Sequence, residues 1–438
     1  MSETVTIVDL QEGVRLHIIE IEKFKTELVG IFLQRPLEEF EATRNALLTR
    51  IMEQRTKSYP TLQSLQHKLD NLYGTVLSCD VNKYGGKQVL QFKMSIPAEH
   101  HIGVEDLLPQ AVRVLNEVVH HPLVEDGRFT DKVFTTELRN LEEEIMGRVN
   151  DKMAYAIDRC LELMCDNEPF RIHQYGTVDA LQHIQNEPLY SHYQRIVKVA
   201  PVDIVVMGKV DPKRVERIIR DQINFQRGQI ERVDQTPILH EIEEVRDFEE
   251  VFPVKQGKLT LGYRTGLAFT HSLYEAGLLF STILGGGASS KLFRSVREKE
   301  SLCYYIFSRI EKYEGLMMIS SGIDPINRDR VEELINVALE EMRQGNFTDE
   351  DIRIAKDALI NSIRSVTDFP NSFMNYYFTQ RLCGRPYDPA GTIERIERIT
   401  KEEIIQAGSQ FQLDTRFFIK GEDTGNENKG GEDAHGHS

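Results

Sequence analysis

The chain has 438 residues, with 53 Lys and Arg against 69 Asp and Glu, for a formal net charge of −16 at pH 7. An acidic body repels phosphate backbones and so excludes nucleic acid as an expected partner, while 40% apolar and 28% charged residues describe a core-forming soluble chain and not a disordered one. A membrane span needs ~18 or more apolar residues in a row, and the longest candidate, Leu278 to Leu284, stops at Gly285-Gly286-Gly287.

The first twenty residues carry acids and lack a basic region followed by an apolar one, so no secretory signal is expected there. Cys79, Cys160, Cys165, Cys303 and Cys383 form no CxxC pair. They read as reduced packing residues in a cytoplasmic setting. Glu38 to Thr56 reads as a helix. Strand-like runs at Thr75 to Val81 and Gln88 to Ser95 flank Lys83-Tyr84-Gly85-Gly86. An amphipathic helix follows, with Val104, Leu107, Leu108, Ala111, Val112, Leu115, Val118 and Val119 on one face. Phe129-Thr130-Asp131 opens a further helix, with Thr as the expected N-cap. Asp203 to Met207 is a short apolar strand. Gln226 to Glu250 is rich in acids and reads as a linker, its Ile238, Leu239, Ile242 and Val245 packing along a surface.

The same order of landmarks then recurs. Strand-like runs at Cys303 to Arg309 and Leu316 to Gly322 flank Lys312-Tyr313-Glu314-Gly315. Val331, Leu334, Ile335, Ala338, Leu339 and Met342 form an apolar helix face, Phe347-Thr348-Asp349 opens a helix, and Thr415 to Ile419 closes as a strand. Gly176-Thr177-Val178 and Gly391-Thr392-Ile393 also correspond. Collinear matches of this kind predict an internal duplication. The expected fold class is α+β: two homologous domains, each a largely antiparallel sheet with helices packed on one face. The expected division is 1–225 for the first domain, 226–253 for the acidic linker, 254–421 for the second domain and 422–438 for a Gly-, Asn- and His-rich disordered tail.

The most informative segment is Gly285-Gly286-Gly287-Ala288-Ser289-Ser290-Lys291-Leu292-Phe293, followed by Arg297 and, seven residues on, Tyr304. It contains no Walker loop. With the duplicated architecture, it resembles the second-half signature of the insulinase, pitrilysin and mitochondrial-processing-peptidase family of metalloproteases, peptidase family M16. The resemblance covers essentially the whole chain and implies a LuxS/MPP-like metallohydrolase fold. It also implies that Arg297 and Tyr304 contact bound peptide. A guanidinium fork grips peptide carbonyls and a phenol donates one hydrogen bond to an oxyanion. The plainer alternative makes Arg297 a surface ion-pair partner and Tyr304 a sheet aromatic.

Active members of that family carry His-x-x-Glu-His on a first-half helix, with a glutamate much later as third zinc ligand. Two His four apart share a helix face, and the Glu between them is the general base. Placed on the family pattern, those five positions here are Ala46-Leu47-Leu48-Thr49-Arg50. Ala46 offers no lone pair, Thr49 is no general base, and Arg50 is a permanent cation at a ligand position. Glu137 and Glu144 match the family's pair of helix glutamates seven residues apart, with Glu144 at the metal-binding position; a bridge from Arg50 to Glu144 is expected to replace the metal charge. Glu142 and Glu143 read as a solvated helix face. His100-His101 and His120-His121 are poor chelates, because adjacent helix residues point about 100° apart. His435 and His437 lie in the tail.

The resemblance, narrowed to the family's inactive YmfF-like bacterial branch, implies a chain with no catalytic residues and no metal of its own. It would act as the peptide-binding subunit of a heterodimer, with zinc on an M16 paralogue and Arg297 and Tyr304 supplied in trans. Two other readings stay open: a non-proteolytic peptide-binding scaffold or assembly protein, and a metalloenzyme with an unconventional site at Glu144.

Overall fold

A computed structural model describes residues 3–233 and 242–421. The tail expected at 422–438, with His435 and His437, and Ile238 and Leu239 of the expected linker lie outside the described residues.

Two sheets organise the chain. The first runs in the order Thr4–Gln11, Val14–Glu20, Val202–Gly208, Thr26–Pro36, Lys87–Pro97, Val76–Tyr84. Its neighbours are antiparallel except Val14–Glu20 with Val202–Gly208, which are parallel. The second runs Cys303–Glu311, Leu316–Ile323, Gly257–Arg264, Gln412–Gly421, Arg246–Phe252 and is parallel only at its last pair. Taken from the Tyr-Gly hairpin outward, the two orders coincide strand for strand, with Thr4–Gln11 as an additional edge in the first. The chain is α+β, and the sequence repeat is a topological repeat. The end of the acidic stretch, Arg246–Phe252, is a sheet edge whose Asp247 accepts from Arg328 at 2.6 and 2.7 Å. The start of that stretch is pinned by the almost fully buried Arg35, which donates to Glu231 at 2.8 Å and also pairs with Glu41.

Each half's own helices cover one face of its sheet. In the first these include Glu39–Gln54, Leu107–His120 and Asp131–Gly147; in the second, Tyr274–Gly285, Arg328–Arg343 and Asp349–Val366. Thr348 caps the last of these through a capping box with Asp351. Thr130 makes no such cap bond. Its turn is held instead by Asn186, whose amide accepts from Phe129 N at 3.1 Å and donates to Phe129 O at 2.8 Å.

The opposite faces are covered by exchange. Helix Lys152–Met164 of the first half lies on the second sheet, where Ala156 and Cys160 meet Phe417 and Ile419, and Met164 meets Leu316 and Met318. Helix Pro370–Leu382 of the second half lies on the first sheet. Its Phe373, Met374, Tyr377 and Phe378 pack with Ile19, Leu28, Phe32, Val205 and Met207. Strands covered on both faces lose the alternation of buried and exposed positions; Gly257–Arg264 and Leu316–Ile323 are buried at every residue. Gly262 lets this helix approach closely: a Cβ there would stand 2.7 Å from Met164 Sδ and 3.2 Å from Cys160 Sγ, so both sulfur groups would have to shift. A polar pin also crosses the exchange: His17 shares hydrogen bonds of 2.8 Å with both Tyr377 Oη and Asp203 Oδ1.

Candidate functional site

Helix Glu39–Gln54 carries the three positions that resemblance assigns to a metal site. Ala46 and Thr49 face the interior, each 1% exposed, and Thr49 Oγ1 donates to Ala46 O at 3.0 Å. Ala46 has no side-chain lone pair, and the buried Thr49 hydroxyl is no general base. Arg50, one residue on, emerges from the core. Its guanidinium bonds Glu144 of helix Asp131–Gly147 and lies 5.8 Å from the centre of the Tyr175 ring. Side-chain exposures of 23% and 41% make this a half-open pair. Its contribution is therefore about 1 kcal/mol or less, well below the ~3–5 kcal/mol that loss of one partner costs in a buried pair.

Further carboxylates gather around the same cation. Glu53 accepts from Cys79 N at 3.3 Å, and burial raises its carboxyl above the usual range while Arg50 pulls it down. Asp80, on the edge strand Val76–Tyr84, is likewise raised by burial and opposed by the Val81 N–H and Arg50. Glu137 is buried and accepts from Asn140 Nδ2 at 3.2 Å. Burial, followed by the charges of Asp80 and Glu144, pushes the Tyr175 phenol up to about 12. Glu53, Asp80 and Tyr175 come from a helix, a strand and a loop, and no spacing in the chain marks them as neighbours. Among the described residues, no three His, Cys, Asp or Glu side chains form a metal-holding group. The donor set does not fit zinc: a fixed cation stands where an imidazole would bind, and no step through a metal follows from it. His120 serves packing, edge-on to Phe225 at 4.4 Å, and burial pushes its pKa down to about 4.

The second element starts at the glycine turn. A Cβ on Gly285 would stand 2.5 Å from Ser308 N, so the turn must approach the sheet closely. The chain then widens into a π-helix, Phe293–Lys299, a form frequent at functional sites. Arg297 is exposed on it with its guanidinium 4.8 Å from the Phe293 ring centre, and no acid pairs with it among the described residues. Ser301 adopts a left-handed φ of 56° on the way into strand Cys303–Glu311. The ladder steps from Cys303↔Ile323 to Tyr305↔Gly322, which leaves Tyr304 as the bulged residue, 67% exposed. Burial raises the Cys303 thiol to about 11 against the opposing charge of Arg297, so Arg297 and the start of this strand lie close together. Among the described residues, then, Arg297 has no acid partner and Tyr304 stands outside the sheet's packing, both open to solvent.

Residues 183–359 match the family described as "Peptidase M16 inactive domain". The chain is 34% identical over 412 residues to "Probable inactive metalloprotease YmfF" of Bacillus subtilis, covering 93% of this chain and 96% of that protein. The chain belongs to the M16 peptidase family. Within M16 it is an inactive, YmfF-like metalloprotease homologue, and "Uncharacterized zinc protease ML0855" of Mycobacterium leprae is 25% identical over 276 residues, 60% of each chain. A solved structure of a conserved protein from Enterococcus faecalis shares the M16-like fold with a TM-score of 0.88 at 29% identity, covering 96% of this chain and all of that one.

Proposed function

We propose that this M16 chain is the non-catalytic, peptide-binding subunit of a heterodimeric peptidase. A paralogue that retains the His-x-x-Glu-His helix supplies zinc and the general base, and this chain supplies Arg297 and Tyr304. One observation carries the reading: Arg297 and Tyr304 are held out to solvent on a π-turn and a bulge, with no acid on Arg297 among the described residues and Tyr304 outside the sheet's packing. Meanwhile Ala46, Thr49 and Arg50 stand where ligands and base belong. The partners are the zinc-bearing paralogue and a peptide, in a cytoplasmic setting, with no nucleic acid. No helix among the described residues is long and apolar enough to cross a membrane.

The reading is tested by co-purifying the chain with a zinc-bearing M16 paralogue and following cleavage of a fluorogenic peptide library. Loss of a charge-assisted hydrogen bond costs ~1.5–3 kcal/mol, so Arg297→Ala should lower kcat/KM by ~10- to 100-fold. Cleavage that survives removal of both side chains rejects the substrate role and leaves the scaffold reading. Stoichiometric, Glu144-dependent zinc on the isolated chain rejects the non-catalytic one.

A further inference from the structure

The two Tyr-Gly landmarks of the repeat meet in space. Tyr84 and Tyr313 pack edge to face at 5.7 Å and 75°, so the hairpin turns of the two halves abut. The copies differ at one position of this motif: Gly85 in the first, Glu314 in the second. Gly85 has a φ of +60°, and a Cβ on it would lie 2.8 Å from Glu314 Oε1. The glutamate thus fills the space that the glycine leaves open. It is 3% exposed, and its Oε2 has no hydrogen-bond partner among the described residues.

The charged groups around Glu314 come from every neighbouring element. Glu311, in its own hairpin, already accepts from the Tyr313 and Glu314 backbone N–H groups. Glu168, from the loop after helix Lys152–Met164, accepts from Arg264 at 2.5 Å, and Arg264 also donates to Asp414 at 2.7 Å. Lys83, from the first sheet, donates to Phe170 O at 2.8 Å and Ile172 O at 3.2 Å. The nearby Cys165 is a buried thiol. The neighbouring cations are thus engaged by other acceptors, and two further acids crowd the same place. A buried carboxylate with an unpartnered oxygen is costly, and a neutral carboxyl far less so.

We infer that Glu314 is a proton-operated latch between the two halves: protonated, it lets the hairpin turns close on one another, and ionised, it drives them apart. Burial first, then the charges of Glu311 and Glu168, push the carboxyl up to about 8, against the opposing pull of Lys83 and Arg264. In the open arrangement the carboxyl returns to its ordinary value of 4.5. The closed form is therefore stabilised by proton binding, fully so below 4.5, and this is lost as pH rises through about 8. Above that value both forms are ionised and no further change follows.

Hydrogen exchange of the full chain, corrected for intrinsic rates, tests this at the turns 82–87 and 311–316. Opening of these segments should rise by up to ~tenfold per pH unit between about pH 5 and about pH 8, then level off. The neutral isostere Glu314→Gln should keep them protected throughout. A flat wild-type profile, or the same rise in Glu314→Gln, overturns the latch. A carbon NMR titration of the wild-type Glu314 carboxyl decides independently of the variant: a midpoint near 8 supports the latch, and one in the ordinary carboxylate range refutes it.

Discussion

Phe378→Ala tests whether the exchanged helix is structural cement for the opposite half. Phe378 belongs by sequence to the second half but stacks on Phe32 of the first sheet at 4.3 Å and 20°, with Tyr84 edge-on at 5.8 Å. It is 2% exposed, and Phe32 beneath it is fully buried. Truncating a buried phenylalanine costs ~3–5 kcal/mol, because transfer energy is lost and the cavity relaxes only partly. A stacked aromatic pair adds ~0.5–1.5 kcal/mol beyond its area. Both ring contacts vanish, so a loss of about 4 kcal/mol is expected. With two cores in one chain a single unfolding free energy is poorly defined, so urea denaturation should be read with site-resolved hydrogen exchange. Protection should fall in Thr26–Pro36 and Lys87–Pro97, strands remote in sequence from the substitution. Exchange that loosens only at 370–382, or a total loss below ~1 kcal/mol, would refute the cementing role.

Glu144→Gln should shift chemical stability by about 1 kcal/mol or less, since the Arg50 pair is half-open; a loss of several kcal/mol in urea melts would mean the pair is buried in solution. Glu27 is 2% exposed, its Oε2 has no hydrogen-bond partner among the described residues, and burial, followed by the charge of Glu99, raises its carboxyl to about 7. Its stabilising proton is complete below 4.5 and lost as pH rises through about 7, so Glu27→Gln should flatten the fall in melting temperature over that window. An unchanged slope in differential scanning calorimetry would count against it. On the acid side, burial lowers His120 and His192 to about 4 each, so the stability their neutral rings contribute is present above 6.5 and lost as pH falls through about 4. His192→Gln should blunt that acid limb in melts, and an identical limb in wild type and variant would contradict the assignment.

Much of this architecture was legible along the chain because it rests on local chemistry. Apolar periodicity marked the helices Leu107–His120 and Arg328–Arg343, and Phe347-Thr348-Asp349 marked a helix start. The duplication was legible because collinear landmarks survive in order, such as the Lys, Tyr and closing Gly of Lys83-Tyr84-Gly85-Gly86 and Lys312-Tyr313-Glu314-Gly315. The replacement of metal ligands by Ala46, Thr49 and Arg50 also needed only residue identity, since alanine has no lone pair and arginine keeps its proton. The side-chain cap expected at Thr130 is not formed, and a distant amide, Asn186, holds the residue before it through both Phe129 backbone groups.

Residue order could not decide which helix covers which sheet. Helix Lys152–Met164 has an apolar stripe suited to any pleated apolar surface, helix Pro370–Leu382 has almost no amphipathic bias, and hydrophobic burial has no direction of its own. Shape selected the opposite half, through the missing Cβ of Gly262 and the ring stack of Phe32 with Phe378. The same assembly brought Asp80, Glu53 and Tyr175 around Arg50 and pressed Glu314 against Gly85. Charges acquire shifted protonation only where the folded chain strips water from them, so these properties belong to the tertiary structure alone.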